Sequence, residues 1–293
     1  MDNFIVLYNP LAGNGTAQDK MRELESLMQG DRLYFSNMLD IRDYGAFFND
    51  MPDGASIIIC GGDGTLNRFL NDTENIRPDC DIYYYPSGSG NDFARDIGAE
   101  RGAPPVLINR YIERLPKICV NGKEHRFING IGYGIDGYCC EKGDELRGKG
   151  NGEVNYTAIA IKGLLFHYKP TGATITVDGV EHRFEKVWLA PTMIGRYYGG
   201  GMMPTPEQDR LNGDGAVSVM VYYGSGKLKS LAVFPSIFKG EHIKHSEMVA
   251  VLSGRNITVC FGEPRPLQID GETVPGVREY SVTACEEKVL QPA

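Results

Sequence analysis

The sequence contains no apolar run that approaches the ~20 residues of a membrane-spanning helix. Its first residues, MDNFIVLYNP, lack both a basic segment and a long apolar one, so we expect no secretory signal. None of its seven cysteines forms a Cys-x-x-Cys pair or has a histidine at zinc-site spacing. We interpret them as reduced thiols, with Cys60 and Cys260 buried, which predicts a cytoplasmic protein. The net charge of −8 provides no general basic field, so we expect no nucleic-acid partner.

Several signatures of known enzyme classes are also missing. There is no G-x-x-x-x-G-K-[ST] segment, which excludes a P-loop enzyme, and no H-R-D or D-F-G segment of a protein kinase. A G-x-S-x-G nucleophile elbow is absent too, so nothing supports a hydrolase of that type. Glycine, in contrast, accounts for 37 of the 293 residues, well above the usual share of about 7%. This excess suggests glycine-rich loops that bind phosphate.

The first 118 residues alternate short apolar runs with helical patterns. Apolar runs at residues 4–8, 56–60 and 81–85 predict buried strands. A loop with glycine follows each run, and apolar residues at helical spacing follow each loop. Strand, glycine-bearing turn and helix, repeated three times, predict an α/β domain with a parallel sheet over residues 1–118.

The pattern of residues 119–293 is typical of antiparallel β structure instead. Asn121-Gly122 and Asp178-Gly179 are two-residue hairpin turns between alternating apolar runs. We therefore predict a β-sandwich domain that is interrupted by helices near residues 154–168 and 228–239. The extreme C-terminal residues are expected to pack back on the first domain.

The segment Gly61-Gly62-Asp63-Gly64-Thr65-Leu66-Asn67 leaves a predicted strand and begins a predicted helix. Its glycines let backbone N–H groups approach a phosphate, and the helix N-terminus adds a partial positive charge. Thr65 is a candidate cap for the helix. The segment fails the dinucleotide-binding pattern because Asn67 replaces its last glycine. Asp63 is unusual, because a carboxylate beside phosphates needs a cation or a donor hydroxyl between them. It indicates Mg²⁺ chemistry, orientation of an acceptor, or only a capped turn.

A second loop, Pro86-Ser87-Gly88-Ser89-Gly90-Asn91-Asp92, occurs in the same context. In a parallel sheet both loops leave the carboxyl ends of strands, where ligands bind. Alone, this segment could be a flexible turn with Asn91 or Asp92 as the helix N-cap. Two such loops in one small sheet favour phosphate binding.

Asp270-Gly271-Glu272 is a candidate for the acid–base step. If this segment is extended, Asp270 and Glu272 project to the same side. One carboxylate could then accept the proton of an alcohol while the other orients it or holds Mg²⁺ through water. A two-residue hairpin turn at Asp270-Gly271 is the alternative. The sequence does not distinguish which of the two acids is the base.

Together these motifs resemble those of the diacylglycerol kinase catalytic-domain family of lipid kinases. That family includes bacterial diacylglycerol kinases and sphingoid-base kinases and is distantly related to NAD kinases. The resemblance rests on NPLAG at 9–13, GGDGTLN at 61–67 and PSGSGNDFAR at 86–95, and later segments extend it over nearly the whole chain. It implies an α/β nucleotide domain followed by a β-sandwich, with the active site in the cleft between them. It also implies transfer of the γ-phosphate of ATP to a lipid hydroxyl with Mg²⁺, by default diacylglycerol, giving phosphatidic acid.

The resemblance further implies which residues form the site. The catalytic group is Asp63, Asp270 and Glu272. The residues expected at the nucleotide are Asn9, Pro10, Leu11, Ala12, Gly13, Gly61, Gly62, Asp63, Gly64, Thr65, Leu66, Asn67 and Ser89. A structural cation is expected on the Asp214 side chain and the carbonyls of Leu211 and Ala216, a ligand set that suits Mg²⁺.

Three positions depart from the family pattern. Arg68 stands where the family often has an acidic residue. This replacement either removes a negative charge from the metal environment or gives the arginine an ion pair within its own helix. Ser89 replaces the usual threonine and keeps the hydroxyl. Asp40 stands where the family has a threonine, so no nucleotide contact is assigned there.

A lipid kinase has to meet its substrate at a membrane surface, so we expect a weak, peripheral contact. The apolar segment 157–168, which contains Lys162 and is followed by Lys169, either makes this contact or packs on the β-sheet. Four residues around three glycines, Tyr197, Tyr198, Met202 and Met203, likewise form an adaptable apolar mouth or part of the core. Whether the chain forms a homodimer is left open.

Two competing functions are compatible with the motifs. An NAD kinase-like enzyme would phosphorylate a small molecule, and the G-G-D-G segment is shared with that group. A nucleotide-binding regulatory protein would bind ATP without turnover, and Arg68 keeps this alternative open.

Overall fold

The structure is a computed structural model that describes residues 2–10, 17–76, 78–88, 90–148 and 156–285. The chain divides into two compact units, Met1–Glu113 and Arg114–Ala293. The predicted boundary lay five residues later, between residues 118 and 119. Residues 117 and 118 belong to the second unit because they pair with a strand of its sheet. The extreme C-terminus, residues 286–293, lies outside the described residues.

Within its described residues, the first unit contains one five-stranded sheet with the order β2-β1-β3-β4-β5. The strands are β1 (Asn3–Tyr8), β2 (Arg32–Asn37), β3 (Ser56–Gly61), β4 (Ile82–Pro86) and β5 (Val106–Leu107). The helices are α1 (Ala17–Leu27), α2 (Tyr44–Asn49), α3 (Asp63–Asp72), α4 (Asp92–Ile97) and α5 (Asn109–Ile112). Strands β1 to β4 are parallel and β5 is antiparallel to β4. The α/β prediction is therefore confirmed, with one antiparallel edge strand added.

The central strands of this sheet are buried because helices cover both faces, which is why they read as continuous apolar runs. Ile57, Ile58 and Ile59 of β3 are fully buried. The parallel register aligns Gly61 with Pro86 at the carboxyl ends of β3 and β4. The two glycine-bearing loops therefore begin side by side.

The described part of the second unit is built on ten antiparallel strands. They are β6 (Lys117–Val120), β7 (Lys123–Arg126), β8 (Gly130–Tyr133), β9 (Thr171–Val177), β10 (Val180–Val187), β11 (Thr192–Met193), β12 (Val217–Tyr222), β13 (Val249–Gly254), β14 (Asn256–Ile269) and β15 (Glu272–Thr283). One edge of β14 pairs first with β9 and then with β8, on either side of register shifts between Cys260 and Leu267. The sheet divides at this bend into the layers of the predicted sandwich.

Both predicted hairpin turns of this unit are present. Asn121 and Gly122 join β6 to β7, and Asp178 and Gly179 join β9 to β10. All four residues have positive φ angles, between 47° and 84°. Asn, Asp and Gly tolerate this conformation, so the turn chemistry alone located these hairpins correctly.

Helical segments cover part of the second unit. They are α6 (Ile135–Gly148), α7 (Tyr156–Lys162), a π-helical turn (Gly163–His167), α8 (Lys227–Val233) and two 3-10 helices (Phe234–Lys239 and Glu241–Lys244). The predicted helix near 228–239 changes from α to 3-10 geometry at Pro235, which lies at the start of the second segment. Residues 154 and 155 of the other predicted helix lie outside the described residues. We use the name helical layer for residues 156–167 and 227–244.

The helical layer covers an apolar cluster that contains Trp188, Met193 and Met220. Tyr198 and Met202 belong to the same cluster, and their backbone groups donate to each other at 3.1 Å across the three glycines. These two side chains are buried. Tyr198 and Met202 are therefore part of the core, whereas Tyr197 and Met203 are only partly buried.

Candidate active site

The two glycine-bearing loops of the first unit lie in direct backbone contact. The N–H of Ser87 donates to the carbonyl oxygen of Gly61 at 2.9 Å. A Cβ atom on Gly88 would lie 2.5 Å from the Cα of Gly62, which is too close for any side chain. Glycine at 88 is thus required because the two main chains pass each other without space between them.

Asp63 connects these loops through its side chain. Its two carboxylate oxygens accept hydrogen bonds from the N–H groups of Asp92 (2.7 Å) and Phe93 (3.3 Å). These are the first two residues of α4, whose N-cap Asn91 makes no capping bond with its own side chain. The carboxylate therefore caps a helix that belongs to the other loop, and it also meets the positive end of the α4 dipole. The structure gives Asp63 a positioning role.

The start of α3 differs from the sequence prediction in one respect. Gly62 is the N-cap, so Thr65 does not cap the helix. Thr65 is buried in the first turn, and a Cβ on Gly61 would lie 2.4 Å from the Thr65 Cβ. Nothing lies within 4 Å of a Cβ on Gly64. The N-terminus of α3 thus combines a bare glycine backbone with the partial positive charge that favours an anion.

The other residues predicted at the nucleotide occupy three kinds of position. Asn9 and Pro10 follow β1, which is the neighbour of β3 in the sheet. Leu66 is fully buried, so its side chain serves the core, and Asn67 accepts a hydrogen bond from Asn71 at 3.1 Å. Leu11, Ala12, Gly13 and Ser89 lie outside the described residues.

Two of the departures from the family pattern have a local explanation. The Nε of Arg68 lies 3.3 Å from the Asp72 carboxylate, one helical turn further along α3. Arg68 therefore forms an ion pair within its own helix, which is one of the two interpretations given for this residue. Asp40 accepts a hydrogen bond from Asn37 at 3.0 Å in the turn after β2.

The first prediction concerns Gly88. Gly88→Ala is expected to separate the two loops and to weaken ATP binding about tenfold or more, because the new Cβ would overlap the Gly62 backbone. Gly90→Ala in the same loop is the matched control, since nothing lies within 4 Å of a Cβ there. Calorimetric titration with ATP measures both variants. Equal affinities of the two would contradict the role assigned to the close approach.

In the second unit, Asp270 and Gly271 form the two-residue turn between β14 and β15. Ile269 pairs with Glu272, and the turn residues have φ angles of 46° and 97°. The segment is therefore not extended, and of the two alternatives that the sequence left open the two-residue hairpin turn is the one that forms. The physical reason is the preference of Asp-Gly for the left-handed conformation, which closes a tight hairpin.

The carboxylate of Asp270 is bound by backbone donors. It accepts hydrogen bonds from the N–H groups of Ile128 (2.6 Å), Asn129 (2.9 Å) and Gly130 (3.0 Å). These bonds fix the chain where it enters β8. Three donors occupy three of the about four lone-pair sites of this carboxylate, so Asp270 is suited to holding the turn.

Glu272, the first residue of β15, is in a different environment. It is exposed, and its side chain begins two residues after the fixed carboxylate of Asp270. An accessible carboxylate on a rigid strand is free to meet an incoming hydroxyl group. Of the two predicted acids, Glu272 therefore has the better geometry for a base.

A partly buried chain of hydrogen bonds supports this turn. The Gly271 N–H donates to the Gln268 Oε1 at 2.5 Å, and the Gln268 Nε2 donates to the Asp136 Oδ2 at 2.9 Å. Asp136 lies in the first turn of α6 and was not among the predicted site residues. The sequence does contain a signal for it, because Asp136 follows a buried strand and a glycine, as Asp63 does.

Burial raises the pKa of Asp136 to about 6, although the hydrogen bond from Gln268 opposes the shift. The folded protein therefore binds a proton more tightly than the unfolded chain, whose Asp titrates near 3.9, and stability is lost as the pH rises between these values. Asp136→Asn removes this loss. We expect the unfolding free energy of the variant relative to wild type to increase by about 2 kcal/mol between pH 4 and pH 7, because the unfolded Asp is already about half ionised at pH 4. Denaturant titrations across this range measure it; a pH-independent difference would contradict it.

One of the three predicted cation ligands, the Ala216 carbonyl, is occupied by hydrogen-bond donors in this structure. The Ala216 carbonyl accepts hydrogen bonds from the side-chain amides of Gln208 and Asn212, both at 2.9 Å. Arg255 donates to the carbonyl oxygen of Asp214. Among the residues that the structure describes, no three His, Cys, Asp or Glu side chains are grouped as metal ligands. Donors that point at Ala216 do not fit a bound cation, so we derive no step from one there.

Comparisons with known proteins agree with these two units. A model of the diacylglycerol kinase catalytic domain matches residues 3–117. A model of the YegS C-terminal NAD kinase beta sandwich-like domain matches residues 129–286. The chain belongs to the diacylglycerol kinase family. It is accordingly an enzyme, a lipid kinase.

Named relatives of this lipid kinase are similar over most of its length. A diacylglycerol kinase of Mycobacterium tuberculosis (strain CDC 1551 / Oshkosh) is 26% identical over 245 residues, which cover 81% of this chain and 77% of the relative. A diacylglycerol kinase of Bacillus subtilis (strain 168) is 28% identical over 74% of this chain and 70% of its own. A crystal structure of a diacylglycerol kinase from Bacillus anthracis (strain Sterne) has a TM-score of 0.62 at 20% identity, covering 97% of this chain and 94% of that one. This last likeness supports the fold.

Proposed function

We propose that this lipid kinase transfers the γ-phosphate of ATP to the hydroxyl group of diacylglycerol, giving phosphatidic acid and ADP. One observation carries the proposal: two glycine-bearing loops leave adjacent parallel strands, and a carboxylate of one caps the helix of the other. Bare backbone and two helix N-termini at one sheet edge form an environment suited to a polyphosphate. The names of the relatives in Mycobacterium tuberculosis and Bacillus subtilis support diacylglycerol as the acceptor.

In this proposal the residues have separate tasks. Gly61 to Asn67, with Asn9 to Gly13 and Ser89, hold the phosphates, and Asp63 keeps the two loops in register. Glu272 accepts the proton of the lipid hydroxyl as its oxygen attacks the γ-phosphorus and the bond to the ADP oxygen breaks. Asp270 positions the turn that carries Glu272. Mg²⁺ enters as the counterion of ATP, a part of the substrate.

The proposal includes a peripheral contact with the membrane that contains the lipid. In the described part of the chain, no helix combines the length and the apolar character needed to cross a bilayer. The contact follows from the proposed acceptor, because diacylglycerol resides in a bilayer and the kinase has to meet it at the membrane surface.

The test is a radiolabelled ATP assay with a total lipid extract, followed by separation of the lipids. We expect one labelled product that co-migrates with phosphatidic acid and requires added Mg²⁺. In a parallel reaction, NAD replaces the lipid as the phosphate acceptor. Label in NAD and none in the lipids would overturn the proposal in favour of a small-molecule kinase, and ATP binding without any labelled product would indicate a regulatory protein.

A further inference from the structure

The helical layer of the second unit packs its inner side against the apolar core. Ile159 and Ala160 of α7 and Leu231 and Val233 of α8 contact the core cluster. The prediction that the segment 157–168 packs on the sheet therefore describes Ile159 and Ala160 correctly. It does not account for the outer side of the layer.

The outer side of the layer presents large apolar side chains to solvent. Leu228 of α8 is 80% exposed and Phe166 of the π-helical turn is 73% exposed. Phe238 and Ile161 are also exposed. The elements that carry them are neighbours, because α8 packs against both the π-helical turn and the 3-10 helix that contains Phe238. Exposed apolar side chains on consecutive packed elements indicate an interaction surface more than isolated ones do.

The charge of the helical layer is opposite to that of the whole protein. Its residues include five lysines and one glutamate, whereas the complete chain carries a net charge of −8. Lys162, Lys227 and Lys239 are exposed. Lys229 and Lys244 lie near Glu247 and Glu241, at 2.9 and 3.3 Å. A basic, apolar surface on an acidic protein is complementary to an anionic, amphipathic partner.

We propose that the helical layer docks on a bilayer that contains anionic phospholipid. Apolar side chains enter the boundary between headgroups and acyl chains, and each lysine near an anionic surface contributes about 1 kcal/mol. The negative charge of the rest of the chain is repelled by the same surface, which limits the orientations in which the protein can bind. The inference deepens the proposed function, on which it rests for its purpose, by naming the surface and the class of lipid.

Vesicle flotation of the full chain tests the proposal without the substrate. Two kinds of vesicle are used, phosphatidylcholine alone and phosphatidylcholine mixed with phosphatidylglycerol, both without diacylglycerol. We expect binding to the mixed vesicles only. K162E/K239E is expected to reduce the partition coefficient about tenfold or more, and F166A/L228A about fivefold or more. The matched controls K123E/K186E and V180A change exposed residues on strands β7 and β10 and are expected to bind as wild type does.

Each outcome decides the proposal. Absence of wild-type binding to the mixed vesicles, or an equal loss in the controls, would overturn it. Binding that depends on the apolar pair and is equal on both vesicle types would overturn the anionic requirement. Phosphorylation of diacylglycerol dispersed in detergent micelles is measured in parallel for all variants. If that activity persists while vesicle binding fails, the docking surface is wrong and the proposed function stands. If the protein binds vesicles as expected but phosphorylates no lipid, the docking surface stands and the proposed function is wrong.

Discussion

Glu272→Gln is expected to lower kinase turnover by about 10²- to 10⁴-fold while leaving the fold intact, because the amide cannot accept the proton of the attacking hydroxyl. Glu272 is exposed at the start of β15, so the substitution disturbs no buried contact. Turnover is measured in the radiolabelled lipid assay, and stability by thermal unfolding. Glu279→Gln, also exposed on β15, is the matched control and should retain full activity.

Asp270→Asn tests which of the two acids is the base and which positions the turn. Asparagine tolerates the left-handed conformation of the turn, but its NH₂ group would face one of the three backbone donors that the carboxylate now binds. We expect a loss of about 1–3 kcal/mol in unfolding free energy along with reduced turnover. Asp270→Asn with unchanged stability and a turnover loss equal to that of Glu272→Gln would make Asp270 the base. Near-wild-type turnover of both variants would exclude the pair from the chemistry.

Asp63→Asn is expected to reduce both stability and ATP affinity. One of the N–H groups of Asp92 and Phe93 would lose its acceptor, and α4 would lose a negative charge at its N-terminus. The expected cost is about 1–3 kcal/mol in unfolding free energy, with ATP binding weakened more than about tenfold because the two loops are no longer fixed together. Urea unfolding and calorimetric titration with ATP measure the two effects.

Asp72→Asn is the matched control for Asp63, since it lies in the same helix and its carboxylate pairs with Arg68 at the surface. A surface pair of this kind contributes about 0–1 kcal/mol, so this variant should keep its ATP affinity. If Asp63→Asn kept wild-type stability and ATP affinity but lost turnover, Asp63 would belong to the catalytic step and not to the scaffold.

Elements with strong local signals were predicted correctly. The buried strands β1, β3 and β4 appear as apolar runs because both faces of a parallel sheet are covered. The Asn-Gly and Asp-Gly turns appear because few residues adopt positive φ angles. In contrast, α6 was missed: its sequence, IDGYCCEKGDELRG, includes three glycines and has no continuous apolar stripe. Gly137 packs against the backbone of Pro266, a contact between segments more than a hundred residues apart.

By itself, the sequence determined the fold class, the two glycine-bearing loops and the acidic pair at 270 and 272, because each depends on neighbours within a few residues. Only the tertiary structure decided what the acids do. Asp63 caps a helix 29 residues away, and Asp270 holds the N–H groups of residues 128–130. Hydrogen bonds over such separations leave no pattern in a single chain, since any acid of suitable length could make them. The sequence of the helical layer likewise does not show which of its apolar residues are buried. Only the elements that pack against the layer decide which side chains lie in the core and which face solvent.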